Sequence, residues 1–363
     1  MTQMTPVHGE QGKFLFVALA FVALAVVPFV GGSFAVDLVT KIMIYAIFAL
    51  SLELLVGSTG LVCFGQAAFF GIGAYATVLL TPSGSAAALW WLLPACIALA
   101  ALYALLVGAL SLRTQGVYFI MVTLAFAQMA YYVVHDTPLG GGTDGIYLDD
   151  KPSLWPDFLS GLFPGLFPGL LPALDLRTPL VLYFFIWLCL LATFALLALL
   201  LRSRFGRALL GIKVNEQRLR AAGFSTYPYK LAAFTISGGI AGAAGCLFAI
   251  KDGFVNPALL SWHFSGAVLI MIILGGLGHL RGALVGAFAF ALLQEFFKSE
   301  VIFGAFARHW HLGLGITIIL CVALMPHGLV GLPAQWRERR ARRTAGARAV
   351  QAERPVGAEG GAS

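Results

Sequence analysis

Residues 179–250 read PLVLYFFIWLCLLATFALLALLL (179–201), RSRFGRALLGIKVNEQRLRAAGFSTYPYK (202–230) and LAAFTISGGIAGAAGCLFAI (231–250). The first and third stretches carry no charged residue, and each has about the 20 residues that a helix needs to cross a bilayer. The stretch between them carries seven lysines and arginines and is too polar to enter lipid. This alternation predicts two membrane-spanning helices joined by a basic connection.

The composition of the whole chain extends this prediction. Sixty per cent of the 363 residues are hydrophobic and only 11% are charged, whereas a soluble domain carries about a quarter charged residues. The sequence pI near 9.3 is also a property of nucleic-acid-binding proteins, but here the basic residues flank apolar runs, as the positive-inside rule describes. The composition therefore favours an all-α polytopic membrane protein that contacts the lipid bilayer and no nucleic acid.

Apolar runs separated by polar or helix-breaking residues predict about ten transmembrane helices. Two of these runs, 61–80 and 264–277, are short or rich in glycine, which is typical of tilted, broken or re-entrant segments. The predicted spans are 14–30, 36–56, 61–80, 86–110, 117–134, 179–201, 230–250, 264–277, 282–297 and 311–331.

The distribution of charge predicts the orientation. With ten spans both termini lie on one side, and that side carries most of the 23 lysines and arginines. Since excess Lys and Arg in short loops marks the cytoplasm, we expect cytoplasmic termini and a periplasmic loop at 135–178. This loop contains LGGGTDGI (139–146) and the repeat GLFPGLFPGLLP (161–172), and its role is either a packed loop or a gate. Residues 1–13 form the predicted N-terminal segment, and the basic tail 332–363 is expected to be disordered.

Several motifs that would indicate an enzyme are missing. The sequence contains no GxxxxGK[ST] phosphate-binding loop, no HExxH and no GxSxG. All five cysteines fall in apolar stretches without CxxC spacing, which predicts small buried side chains and neither metal ligands nor disulfides. We therefore expect no catalytic residues, no metal and no cofactor; any energy for active transport must come from another subunit.

The basic connection itself predicts a short amphipathic helix. Leu209, Ile212 and Leu219 fall on one flank at helical periodicity, and Glu216 and Arg220 form a favourable i, i+4 pair. Gly223 can end the helix in a left-handed conformation, before Pro228 prevents its simple continuation. Such a helix suits either insertion into a groove of a soluble partner or adsorption to anionic lipid.

Four polar side chains inside predicted spans are candidates for a translocation pathway. Glu53 is the most costly to bury without a partner, unless it sits in water near the end of its span. Gln66, Thr123 and Gln128 either line a route for a zwitterion or tie helices together by hydrogen bonds. Glycines in the third and seventh spans are read first as sites of close helix packing.

Four blocks in the same order resemble the permease subunits of branched-chain amino-acid ABC importers. The most recognisable is FGRALLGIKVNEQRLRAAGFSTYPYKLAAFTISGGIAGAAGCLFA (205–249), with the family's FGRAL and NE motifs. The order of blocks and the TDG loop are closer to the M-type permease than to its H-type partner. The other blocks are GLVCFGQAAFFGIGAYATVLL (60–80), LRTQGVYFIMVTLAFAQM (112–129) with GGTDGI (141–146), and LGGLGHLRGALVGAFAFALLQE (274–295).

The resemblance implies a permease domain over 14–331 in a bacterial inner-membrane importer, without a nucleotide-binding site of its own. The implied partners are two cytoplasmic ABC ATPases, a second permease subunit and a periplasmic substrate-binding protein. Residues 202–229 would form the coupling segment. Within it Arg207, Asn215, Glu216 and Gly223 match the family motif, which favours docking on an ATPase over adsorption to lipid.

The resemblance leaves the substrate open. The family usually has serine at the position of Cys63 and asparagine at that of Glu53, and similar permeases serve urea, short amides and some aromatic acids. A secondary transporter driven by an ion gradient is the alternative from another class. As the mechanism, we expect ATPase closure to move the 207–223 helix and thereby tilt the sixth and seventh spans.

Overall fold

The computed structural model describes residues 8–81, 88–148, 150–153, 176, 178–299, 303–325 and 328–331. The described chain is almost entirely helical, as expected for a polytopic membrane protein. Its α-helices are α1 (His8–Val30), α2 (Ser33–Thr59), α3 (Gln66–Leu80), α4 (Leu89–Ser111), α5 (Val117–Asp136), α6 (Pro179–Arg202), α7 (Arg204–Ala221), α8 (Thr226–Asp252), α9 (Trp262–Gly275), α10 (Leu280–Lys298) and α11 (Trp310–Leu324).

Each of the ten predicted spans corresponds to a helix, and the basic connection corresponds to α7. The predicted start at residue 61 is wrong for the third span, because residues 60–65 are not helical and α3 begins at Gln66. The first helix begins at His8, six residues before the predicted apolar run. The repeat at 161–172 and the tail 332–363 lie outside the described residues.

Length separates the helices into two groups. Within the described residues, seven helical stretches are long and apolar enough to cross a membrane; they are α2, α4, α5, α6, α8, α10 and the stretch Trp310–Gly331, which begins with α11. The apolar stretches of α3 and α9 contain only 15 and 14 residues, or about 21–23 Å at 1.5 Å per residue, which is less than the hydrocarbon thickness. These two helices are therefore the short, glycine-containing segments that the sequence indicated.

Helix α8 lies at the centre of the bundle and packs against α2, α3 and α4. Small residues make this possible: a Cβ atom at Gly245 would collide with the carbonyl oxygen of Phe70 on α3. A Cβ atom at Gly242 would likewise collide with the side chain of Ala100 on α4. These glycines therefore serve close helix packing, as small residues do in membrane bundles.

The GGTDGI block folds against the segment that follows α8. Short 3₁₀ turns, Pro138–Gly140 and Gly142–Asp144, lead into β1 (Ile146–Tyr147), which pairs antiparallel with β2 (Phe254–Val255). Ile146 lies opposite Val255 in this ladder. We call this end of the bundle the ladder end and the opposite one, where α7 lies, the basic end.

The cysteines are all free thiols, and Cys63, Cys96 and Cys246 are buried. This burial agrees with their expected role as small apolar side chains.

Candidate coupling segment and buried polar residues

The amphipathic segment α7 consists of two arms rather than one continuous helix. Asn215 has an extended backbone, with φ −163° and ψ 99°, and separates residues 204–214 from residues 216–221. The Oδ1 atom of Asn215 accepts a hydrogen bond from the N–H of Arg218 at 2.9 Å. Asn215 is thus the N-cap of the second arm, a local role that the predicted unbroken helix did not include.

The second arm ends at Gly223, as the sequence predicts. Gly223 has φ +88°, and its N–H donates to the carbonyl of Arg220, while that of Phe224 donates to the carbonyl of Leu219. These two bonds form a Schellman motif, for which a left-handed glycine is favoured. Pro228 follows in the first turn of α8, which begins at Thr226.

Glu216 connects the second arm to the first turn of α8. Its Oε1 atom accepts from Arg220 at 2.7 Å and from the hydroxyl of Thr226 at 2.8 Å, and its Oε2 atom is paired with Lys230. The pairing with Arg220 confirms the predicted i, i+4 contact. The other two bonds extend this contact into a network that holds α7 against α8.

The network changes the acidity of Glu216. Burial raises the pKa of this carboxyl, but the hydrogen bonds from Lys230 and Thr226 and the charges of Lys230 and Arg220 outweigh burial. The pKa of Glu216 therefore lies below its ordinary value of 4.5. The carboxylate is ionised at neutral pH and forms ion pairs with both Arg220 and Lys230.

The predicted apolar flank of α7 is largely occupied within the chain itself. Leu209 and Ile212 are buried and Leu219 is partly buried against the core. The expectation that these three side chains project toward a partner is therefore wrong. The physical reason is that α7 lies against α2, α6 and α8, so its most apolar face packs against the bundle.

A different face of α7 remains free. Leu210 is 46% exposed and Val214 is 83% exposed, and their i, i+4 spacing places them side by side on the first arm. Arg207 is exposed on the same arm. The available surface is thus two apolar side chains within a basic rim.

Gln66 ties three helices together. Its Nε2 atom donates to the hydroxyl of Ser51 on α2 at 2.8 Å and to that of Ser237 on α8 at 3.0 Å. The hydroxyl of Ser237 in turn donates to the carbonyl of Ser51 at 2.6 Å. Gln66 is completely buried, so this geometry favours the tie over an exposed pathway position.

Thr123 and Gln128 lie on α5 and do not join this network. Thr123 is buried and its hydroxyl donates to the carbonyl of Ile120 in its own helix at 2.9 Å. Gln128 is half-buried, and its Nε2 atom has no hydrogen-bond partner in the described part of the chain. Thr123 nevertheless lies close to Gln66, because a Cβ atom at the preceding Gly65 would be 2.8 Å from the carbonyl oxygen of Thr123.

Glu53 lies two residues after Ser51, toward the basic end of α2. It is 2% exposed, so the alternative of a water-exposed position is wrong. Its Oε1 atom accepts from the backbone N–H of Gly278, in the turn between α9 and α10, at 2.7 Å. This turn closes over the carboxyl group and excludes water from it.

Comparison with known proteins identifies the family. The sequence profile of the branched-chain amino acid transport system / permease component matches residues 34–323, a range that begins one residue into α2 and ends one residue before the end of α11. The chain is 32% identical over 325 residues to the high-affinity branched-chain amino acid transport system permease protein LivM of Escherichia coli (strain K12), covering 88% of this chain and 75% of LivM. This chain belongs to the branched-chain amino acid permease family.

Two further relatives define the range of the similarity. LivM of Salmonella typhimurium is 31% identical over the same shares of both chains. The autoinducer 2 import system permease protein LsrC of Photorhabdus laumondii is 31% identical over 107 residues, or 28% of this chain and 32% of LsrC. No solved structure matches the chain. The profile match and the similarity to LivM make this chain an M-type, multi-pass permease subunit of that ABC importer family.

Several hydrogen-bond partners of these polar residues were not predicted from the sequence. Ser51 and Ser237 complete the Gln66 network, Lys230 and Thr226 complete that of Glu216, and Lys213 reaches α2. The available signal was weak: each is a single polar residue beside a helix end or inside an apolar run. Only the tertiary arrangement identifies the partners, which are 10 to 186 residues apart in the chain.

Proposed function

We propose that this permease imports branched-chain or related amino acids, and that α7 couples it to cytoplasmic ATPases. The observation that carries the proposal is the exposed pair Leu210 and Val214 within a basic rim. An apolar centre surrounded by a polar, solvent-accessible rim is the usual anatomy of a protein–protein interface. In this arrangement Arg207 attracts an acidic groove of the ATPase, and Leu210 and Val214 fill its apolar floor.

The residues around this face hold it in place. Asn215 ends the first arm and caps the second, while Glu216 fixes the second arm to α8. Gly223 then turns the chain into α8. When two ATPases close around bound ATP, they would pull on α7 and move α6 and α8, which are continuous with it. This movement would switch access to a pathway between this chain and a second permease subunit. A periplasmic binding protein delivers the substrate.

Docking is tested by replacing the exposed apolar side chains of α7 with charged ones. Leu210→Asp and Val214→Asp each place a charge where the proposal requires a desolvated apolar contact, so affinity for the ATPase is expected to fall about 30-fold. The measurement is co-purification of the ATPase with the tagged permease, together with leucine uptake. Gln217→Asp, the same charge on an exposed position of the second arm, is the control. Equal ATPase recovery from all variants would refute docking through this face.

Orientation is tested separately with a thiol probe. In Val214→Cys, a membrane-impermeant maleimide is expected to label residue 214 in inside-out vesicles and to leave it unlabelled in intact spheroplasts. Val214 is 83% exposed, so labelling is not limited by burial. Labelling from the periplasmic side would exclude contact between α7 and a cytoplasmic ATPase.

A further inference from the structure

Three segments that are distant in the chain meet at the basic end. Lys213, the penultimate residue of the first arm of α7, donates from Nζ to the carbonyl of Gly57 on α2 at 2.8 Å. One turn earlier on α2, Glu53 accepts from the N–H of Gly278 at 2.7 Å. Residues 276–279 form the turn between α9 and α10. These two hydrogen bonds join α7, α2 and the α9–α10 hairpin in series.

The local structure is shaped around these bonds. A Cβ atom at Gly57 would collide with the carboxyl of Glu53, so the glycine provides the space that the carboxyl occupies. Gly278 has φ +87°, a left-handed conformation that glycine adopts without strain. The stem of Lys213 also passes Gly60, where a Cβ atom would lie 3.6 Å from its Cγ atom. Glycines on both sides thus allow the three segments to approach closely.

Breaking the bond between Glu53 and Gly278 is costly because the carboxyl group lies inside the bundle. Glu53 is buried, and its Oε2 atom has no hydrogen-bond partner within the described residues. The polar groups that face the carboxyl are the backbone N–H groups of Gly278 and His279 and the charge of Lys213. Leaving a buried polar group without a partner destabilises the protein by more than the hydrogen bond stabilises it. In apolar surroundings no water can replace the lost partner. Because Lys213 bonds α7 to α2 and the buried Glu53 bonds α2 to the hairpin, movement of α7 should carry α2 and the hairpin with it.

We infer that Glu53 is a positioning residue of energy coupling, which with Lys213 transmits the movement of α7 through α2 to the α9–α10 hairpin. This inference rests on the proposed coupling role of α7 and adds a route to it. The sequence alone placed the movement in α6 and α8, which are covalently continuous with α7. Hydrogen bonds add a second connection, from Lys213 to Gly57 and from Gly278 to Glu53. This connection runs from α7 through α2 to α9 and α10.

The functional test uses the complete importer, reconstituted in liposomes with its binding protein, and measures leucine taken up per ATP hydrolysed. Glu53→Leu removes the acceptor and is expected to lower this ratio about 5- to 150-fold, the range of typical coupling energies, with the ATPases still bound. Glu53→Gln keeps a carbonyl acceptor for Gly278 and should stay near the wild type. Glu295→Leu, the same substitution on α10 outside the junction, is the matched control.

Lys213→Met tests the bond between Lys213 and Gly57. Lys213 is exposed, where a substitution leaves folding intact, and the variant should lower the ratio of leucine uptake to ATP hydrolysis.

A spin-label pair at Arg204→Cys and Leu277→Cys, with the half-buried Cys189 and Cys321 replaced by alanine, reports on the movement of α7 relative to the α9–α10 hairpin. The distance between the labels should stay constant on ATP binding in the wild type and change in Lys213→Met.

The outcomes separate the two proposals. A wild-type complex without bound ATPase would overturn the docking proposal and this inference with it. Intact docking, with an unchanged uptake ratio in both Glu53→Leu and Lys213→Met, would overturn only the inference. Equal losses in Glu53→Leu, Glu53→Gln and Glu295→Leu would also overturn it, because they would indicate a general sensitivity of the membrane domain.

Discussion

Replacing Gly245 with alanine is expected to lower the melting temperature of the detergent-solubilised permease by about 5 °C or more. The added Cβ atom would collide with the carbonyl oxygen of Phe70, and the nitrogen of Ala74 lies 3.0 Å from the same position. Both are backbone atoms, which cannot rotate away as a side chain can. The helices α3 and α8 must separate instead, and contacts along this central interface are lost.

The matched control is Gly266→Ala on α9. No heavy atom lies within 4 Å of a Cβ atom placed at Gly266, so the methyl group meets open space, and alanine favours a helix over glycine by about 1 kcal/mol. This variant should melt at or slightly above the wild-type temperature. Both are measured by the temperature dependence of the monodisperse peak in size-exclusion chromatography. Equal melting of Gly245→Ala and Gly266→Ala would contradict the close packing of α3 and α8.

Replacing Glu216 with glutamine is expected to reduce ATPase co-purification and leucine uptake about 5- to 100-fold. Lys230 is nearly buried and would lose its carboxylate, while Arg220 and Thr226 would lose an ionised acceptor. Losing hydrogen bonds to a charged group costs about 1–3 kcal/mol, less than for a fully buried pair because Glu216 is partly exposed. The second arm would then detach from α8 and no longer position the first.

The control is Gln217→Ala, the neighbouring exposed position. A variant that acts through the network should be rescued in part by Glu216→Asp, which keeps the charge on a shorter side chain. If Glu216→Gln binds ATPase and supports uptake as the wild type does, the network has no part in coupling.

The same network predicts a dependence on pH. Because the folded-state pKa of Glu216 is depressed, its stabilising effect is complete above the unfolded value of about 4.5 and is lost as pH falls through the folded value. Binding of ATPase by the wild type should therefore weaken on acidification below about pH 4.5. Glu216→Gln, which has no carboxylate at this position, should lack that component.

Much of the fold follows from elementary properties of the sequence. Apolar runs of bilayer length must form helices because lipid offers no partner for backbone N–H and C=O groups, so the ten spans were predictable. The C-terminal end of α7 was also predictable. Glycine readily adopts the left-handed conformation that commonly ends a helix, and Gly223 adopts it here. The break at Asn215 was missed because the helical periodicity on both sides of it is intact and the capping bond is local.

The sites were predictable in kind but not in arrangement. The sequence identified Glu53, Gln66 and Glu216 as polar residues that need partners, because each interrupts an apolar or basic stretch. Their partners depend on which helices become neighbours, and hydrophobic periodicity does not encode that. The same reason explains the error over Leu209 and Ile212: periodicity shows that a helix has an apolar face but not whether the chain itself or another subunit covers it.

The amino-acid sequence by itself determined the membrane class of this chain, the family and the approximate limits of its helices, because each of these depends on local hydropathy, charge and motif order. Only the tertiary structure decided that Gln66 joins α2, α3 and α8, that Glu53 holds the α9–α10 turn, and that Leu210 and Val214 form the free face of α7. These contacts join residues that are distant in the chain, and only the packing of whole helices brings them within hydrogen-bonding distance.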